Sequence, residues 1–325
     1  MALDDRLRGT LSLPVICAPM FLVSGPDLVR EACKAGIMAG LPVQNTRGFE
    51  ELEAWMTDIR ASLDRHAADG ARVGPLAVNF GARFPQDQIA RYFGLCQRFG
   101  VEYIITVGGD PTAIAARAHD AGMKVFHDIT NMRFAEKAIK AGVDGLTCIG
   151  AGGGGHSGTI NHLALIRSVR SIFDGTIIMA GAISDGATIR AAEILGADLA
   201  YMGTRFIATV ESMAPQEYKQ MIVSQSSADL AYTGKVAGVP ANWLVASLER
   251  VGLDLGEMPE VPAGGKRHDN LPEHLRPWRD IWSAGQGIDV IDDIPTVEQL
   301  VRRLREEYVA ACATPSMADA ARFAC

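Results

Sequence analysis

The stretch KVFHDITNMRFAEKAIKAGVDGLTCI, residues 124–149, decides the fold. It opens with an apolar run, KVFHDI (124–129), passes through a helical pattern, NMRFAEKAIKAG (131–142), and returns to a second apolar run, GLTCI (145–149). These runs are apolar throughout rather than alternating, as expected for parallel strands covered by helices on both faces. The helical pattern stops at Ala141-Gly142, with glycine at the C-terminal cap. The unit is therefore strand, helix, strand. Working outward, further apolar runs lie at 14–20, 37–40, 76–80, 101–107, 176–181 and 199–203, making eight in all. Helical patterns at 27–36, 49–63, 111–122 and 186–197 separate several of them. Eight such units within about 200 residues match an α/β fold of the (β/α)8 TIM-barrel type. The alternative, a doubly wound open sheet, prefers five or six strands and an early GxGxxG, and neither is present.

After the eighth run the character changes. Residues 212–250 are polar with helical patterning, and 254–275 are rich in Pro and Gly. An apolar segment and a last amphipathic helix then follow. The expected organisation is a barrel with a closing segment over 1–211 and 276–310. A helical and irregular appendage over 212–275 would lie near the active site, and 311–325 would be a weakly ordered tail.

Composition narrows the function classes. The chain has 325 residues, 48% of them hydrophobic, and a net charge of −7. No Lys/Arg-rich run supports nucleic acid or an anionic membrane as a partner. The six cysteines are scattered without CxxC or metal-ligand spacing, which suits reduced thiols in a cytoplasmic protein. The first residues lack the pattern of a secretion signal, and no apolar run approaches the ~18 residues of a membrane span. No metal is expected.

In a TIM barrel the chemistry sits at the C-terminal ends of the strands. Those ends carry Ala18-Pro19-Met20, Asn79, Gly108-Gly109-Asp110, His127-Asp128, Cys148, Gly181-Ala182 and Gly203-Thr204. The loops after the seventh and eighth runs are where such barrels bind phosphate. Gly181 and Gly203 would admit an anion to the backbone there, and Thr204 would add a hydroxyl. After the sixth run come four glycines, Gly152–Gly155, and then His156. A backbone bare of side chains suits a planar ring, and histidine ordinarily titrates near neutrality, as a general base requires. The extra glycines suggest a loop that orders only when ligand binds. His127 reads as a hydrogen-bonded barrel residue, His162 as structural, and Cys148 as a buried inert thiol rather than a nucleophile.

Taken together, APMFLVSG (18–25), LAVNF (76–80), GAGGGGHSG (150–158), IIMAGAISDG (177–186), MGTRFIAT (202–209) and IWSAGQGI (281–288) resemble the nitronate monooxygenase (2-nitropropane dioxygenase-like) family of FMN-dependent TIM barrels. That family also contains NADH-dependent quinone reductases and FMN-dependent enoyl reductases. The resemblance implies non-covalent FMN. Asn79 would hydrogen-bond the flavin, and the backbone of Ala18, Pro19 and Met20 would lie beside its ring system. Gly154, Gly155, Gly181, Ala182, Gly203 and Thr204 would meet the ring edge, ribityl chain and phosphate. Ser283, Gly285 and Gln286 would close over the cofactor, and His156 matches the catalytic histidine. Two positions depart from the pattern. Gly152-Gly153 replace a frequent Glu-Ala, and Asp128 stands at the flavin locus where some members carry lysine. A carboxylate there disfavours an anionic reduced flavin unless it is neutral or turned away.

The implied activity is FMN-dependent oxidation of alkyl nitronates with O2 to a carbonyl compound and nitrite. Met20, Phe21 and Leu22 would wall a small apolar pocket. The alternative is an NAD(P)H-dependent FMN reductase acting on a quinone or an enoyl C=C. A third class is a barrel that binds a phosphate ligand without redox turnover, or one that uses Cys148. The partners would be a small-molecule substrate (nitronate, or NAD(P)H plus an acceptor) and O2. The oligomeric state stays open, with a homodimer as one option.

Overall fold

A computed structural model describes residue 3, residues 5–261 and residues 270–315 of the chain. The strands are β1 (Val15–Cys17), β2 (Met38–Pro42), β3 (Leu76–Gly81), β4 (Tyr103–Val107), β5 (Lys124–Ile129), β6 (Gly145–Ile149), β7 (Gly155–His156), β8 (Thr176–Ala180), β9 (Leu199–Met202), β10 (Leu230–Thr233) and β11 (Ala241–Leu244). Among the described residues, β1-β2-β3-β4-β5-β6-β8-β9 form a closed barrel, sealed by the parallel pairing of β1 with β9. The expected (β/α)8 barrel is therefore present. Its eight parallel strands coincide with the eight apolar runs.

Strand alternation sorts the side chains into two layers. Leu146, Cys148, Ile177 and Val125 point outward into the larger core shared with the helices. Ile16, Met38, Ala77, Tyr103, Ile105, Phe126, Ile178 and Leu199 point inward and fill the barrel. Leu7 and Leu11, on and just after the short helix Asp5–Thr10, join this inner cluster and plug the N-terminal end.

Residues after β9 wrap back over the barrel. The last helix, Val297–Cys312, lies against the helix Gly186–Leu195. Gly186 is required there, because a Cβ would come within 2.1 Å of the Tyr308 amide nitrogen. The 212–275 stretch contributes the helices Gln216–Ser224 and Val245–Arg250 and two short strands. β10 and β11 form a small antiparallel sheet, and β7 joins its edge through Ala241 opposite His156. This layer has its own core around Trp243, Leu248, Leu271 and Ile281. Residues 316–325 of the tail expected to be weakly ordered lie outside the described residues, whereas the helix continues to Cys312. No helix among the described residues is long and apolar enough to cross a membrane.

Candidate active site

One cavity of about 930 Å³ opens at the C-terminal ends of the barrel strands. Its floor is made by the inward residues one step above the apolar plug. Two residues beyond Ala77, Phe126 and Leu199, the same faces of the strands carry Asn79, Asp128 and Tyr201, all lining the cavity. Thr147 lies beside Asp128 in the β5–β6 register. Asn79 donates from Nδ2 to the Ile105 carbonyl at 3.1 Å. The Asp128 residue is half-buried, because the cavity reaches it, but its Oδ1 is sealed from solvent. Burial pushes the carboxyl up to about 7, opposed in part by the Thr147 hydroxyl. Desolvation disfavours the charged form, and no cation acts on the group to offset it.

The walls are loops held in unusual conformations. Three non-glycine residues adopt positive φ: Leu22 (61°), Ala182 (56°) and Trp278 (61°), and all three line this cavity. Such strain persists only where surrounding contacts enforce it, and it gathers at functional sites. For Leu22 the enforcer is Asn45. Its Oδ1 accepts from the Leu22 amide at 2.8 Å, while its Nδ2 donates to the carbonyls of Met20 and Ser24. The loop carrying Ala18, Pro19 and Met20 is thereby fixed against one wall, with Phe21 at its rim. Ala182 donates its amide to the Gly152 carbonyl. Trp278 packs its ring against His156 at 4.9 Å and against Trp243 at 5.1 Å.

The glycine run is tied into the protein by hydrogen bonds. Gly155-His156 form β7, and Asn242 donates to the carbonyls of Ala151 and Gly153. The Gly152 carbonyl also accepts from the Gln286 amide. A Cβ on Gly154 would approach the Gly285 nitrogen to 2.9 Å, and one on Gly181 the Gly153 nitrogen to 2.6 Å. The glycines let three backbone segments cross, so much of their bareness serves chain packing. Gly154, Gly155 and His156 still face the cavity.

Gly181, Gly203 and Thr204 line the same space, with Ser283 and Gly285 opposite. Thr204 Oγ1 accepts from the Gly285 amide at 2.8 Å, which ties the closing segment to the eighth barrel strand. Next to it, buried Arg205 pairs with Asp293 at 2.8 Å, and Arg303 shares that carboxylate. Gln286 is the exception among the expected site residues. It is exposed and outside the cavity lining, because the chain turns into a 3-10 helix at that point. His127 lies off the cavity, bonded through Nδ1 to Thr106 at 2.7 Å, and burial holds it down to about 4. His162 contacts the Ala180 carbonyl through Nε2. Cys148 faces the outer core, with its thiol pushed up to about 12 by burial.

Several lining residues were not singled out from sequence. Arg83, Arg276 and Arg279 stand on the cavity wall, where Asp128 is the one carboxylate among the described lining residues. Arg279 is paired with Asp280. Tyr201, Tyr218 and Trp278 also line it. No group of three or more His, Cys, Asp or Glu among the described residues is arranged to hold a metal ion.

Comparison with known proteins gives a consistent picture. The nitronate monooxygenase family model matches residues 76–307. A stretch of 243 residues is 30% identical to the (3aS,4S,5R,7aS)-5-hydroxy-7a-methyl-1-oxo-octahydro-1H-indene-4-carboxyl-CoA dehydrogenase of Rhodococcus jostii, covering 74% of this chain and 65% of that protein. The nitronate monooxygenase of Pseudomonas aeruginosa is 26% identical over 94% of this chain and 99% of its own. Among solved structures, FabK from Thermotoga maritima superposes with a TM-score of 0.73 at 24% identity, over 95% of this chain and 96% of that one, a likeness of fold.

Proposed function

The chain belongs to the nitronate monooxygenase family, a family of flavin-dependent oxidoreductases, and from that premise we propose that it binds FMN at the open end of the barrel and oxidises alkyl nitronates with O2 to a carbonyl compound and nitrite. The observation that carries this reading is convergence. His156, the Gly181 and Thr204 loops and a polar floor meet in a single cavity, although 48 residues separate His156 from Thr204 in sequence.

The residues present fit a flavin. Asn79, Asp128 and Tyr201 give the cavity a polar floor, and the bare backbone at Gly154, Gly181 and Gly203 leaves room beside it, a set of groups that suits a flat ring with polar edges. FMN, when bound, supplies the electron acceptor for the substrate and the donor for O2. The chain supplies the rest. Asn79, already oriented by its bond to Ile105, presents its amide oxygen to the cavity floor. Met20, Phe21, Leu22 and Ile183 give an apolar wall that limits water around a small substrate. His156, backed by Trp278 and anchored as part of β7, accepts the proton from a neutral nitroalkane or hydrogen-bonds the nitronate oxygens. The arginines on the wall favour entry of an anion into a protein whose net charge is −7.

The test is nitrite formation and O2 uptake with nitronates and with neutral nitroalkanes. His156→Gln should lower turnover of neutral nitroalkane by about 10²–10⁴-fold, the usual contribution of a positioned base. It should spare turnover of preformed nitronate more. Unchanged turnover of both would remove His156 from the mechanism.

A second reading has its own support. Arg83, Arg276 and Arg279 at the wall suit the phosphates of NAD(P)H, as in a reductase acting on a quinone or an enoyl C=C. The dehydrogenase relative named for a CoA thioester is in keeping with a phosphate-bearing ligand at this rim. Flavin reduction by NAD(P)H in the absence of O2 distinguishes this reading from the first.

A further inference from the structure

We infer that Asp128 meets the cofactor as a neutral carboxylic acid and donates a hydrogen bond to it from the cavity floor, so that cofactor affinity falls as this proton is lost. The inference rests on the FMN reading and assigns one residue of this chain a proton-dependent role in it. Three observations carry it.

First, Asp128 points inward. It shares the strand face of Phe126, which fills the barrel, and it lines the cavity two residues above that ring. Second, Oδ1 is sealed from solvent on the side of Thr147, whose hydroxyl is the group acting to offset the burial, so the cavity meets the acid through its other oxygen. A carboxylate so placed keeps most of its desolvation cost, and the neutral acid avoids it. The neutral acid also gains a donor, and the pyrimidine edge of a flavin offers carbonyl acceptors. Third, no cation acts on the carboxyl, the cavity's arginines Arg83, Arg276 and Arg279 standing elsewhere on its wall. Thr147 flanks Asp128 on β6, and Tyr201 faces the same space from β9. Burial pushes the Tyr201 phenol up, and does the same to the thiols of Cys148 on β6 and Cys17 on β1. On β5 itself, His127 is held down to about 4 and is neutral. Asp110, at the end of β4, is a carboxylate held below its usual range by the Thr112 hydroxyl and amide, and it acts on His127. His156 also lines the cavity, so it needs a control. A lysine at position 128 would offer a permanent donor. Aspartic acid offers a donor only while protonated.

The consequence is quantitative. If only the protonated form is competent, the apparent dissociation constant scales inversely with its population. With Asp128 near pH 7, affinity should be about tenfold weaker at pH 8 than at pH 6. The FMN phosphate titrates near pH 6 as well, but it acts equally on every variant.

The experiment is a titration of the apoprotein with FMN at pH 6 and pH 8, followed by flavin fluorescence. Wild type, Asp128→Asn, Asp128→Ser and His156→Gln are compared. Asn keeps a donor at both pH values, so Asp128→Asn should lose the roughly tenfold drop while keeping wild-type affinity at pH 6. Asp128→Ser is the second variant should the amide not fold, and it should also flatten the profile. His156→Gln should retain the drop. Equal profiles in wild type and the Asp128 variants would overturn the inference. So would tighter wild-type binding at pH 8, which would mean a carboxylate accepting from the flavin. Absence of FMN binding at every pH would instead overturn the FMN reading, and this role with it.

Discussion

The two ends of the barrel are built from the same strands but obey different rules. At the closed end the inward positions are Ile16, Ala77, Phe126 and Leu199, packed with Leu7 and Leu11 from the plug. One inward step higher, those strands carry Ala18, Asn79, Asp128 and Tyr201, and the cavity opens. The closed end is filled by buried side chains. The open end holds a sealed carboxyl oxygen, three strained non-glycine residues and a crossing of bare backbones. Departures from stability gathered at one end of an otherwise regular barrel mark where binding and chemistry are housed.

Substitutions of Phe126 and Asp128, two residues apart on one strand but at the two ends, should therefore act in opposite senses. Phe126, 1% exposed and packed on Tyr103 at 5.4 Å, belongs to the closed end. Phe126→Ala should destabilise the protein by about 3–5 kcal/mol, as cavity-creating changes do, and denaturant unfolding measures this. Two residues further on, Asp128→Asn should stabilise the apoprotein. The carboxyl has a folded-state value of about 7, against an unfolded value near 3.9. The native state therefore holds a proton through that interval which the unfolded chain releases, and wild-type stability declines as pH rises from about 4 through 7. Solvent reaching the carboxyl through the cavity moderates the effect to about 2–4 kcal/mol at pH 8. The variant's advantage should vanish at pH 4. A variant less stable than wild type at pH 8 would show that Asp128 has a partner in the folded protein. The smallest of the three effects belongs to the backbone crossing. Gly154→Ala presses on the Gly285 nitrogen and should cost about 1–3 kcal/mol, as overpacking does. It should also weaken FMN, because the closing segment and the Thr204 loop move together through their hydrogen bond.

The barrel was legible in the sequence because its strands are buried on both faces and read as uninterrupted apolar runs. The loop residues at strand ends were legible for the same reason, since the fold fixes which end is open. The small sheet was not legible. β10 and β11 have four residues each and β7 two, too few for a periodic signal. Trp278 and the nearby arginines sit in a Pro-rich stretch whose path back to the cavity depends on long-range contacts such as Trp278 with Trp243. The left-handed conformations of Leu22, Ala182 and Trp278 carry no residue-type signature at all. Gln286 shows the converse limit. It lies inside a motif that closes on the site, yet its side chain turns outward while its backbone performs the tethering. For the glycine run, sequence indicated the location, and the structure supplied the main reason, which is backbone packed on backbone.

The central claim, that the open end of this barrel oxidises nitronates through a flavin, is tested most directly by mixing the FMN-loaded protein with an alkyl nitronate under anaerobic conditions and following the visible absorbance of the flavin. The account predicts prompt bleaching by nitronate alone and recovery of the absorbance when O2 is admitted. Bleaching by NADH or NADPH with none by nitronate would contradict it.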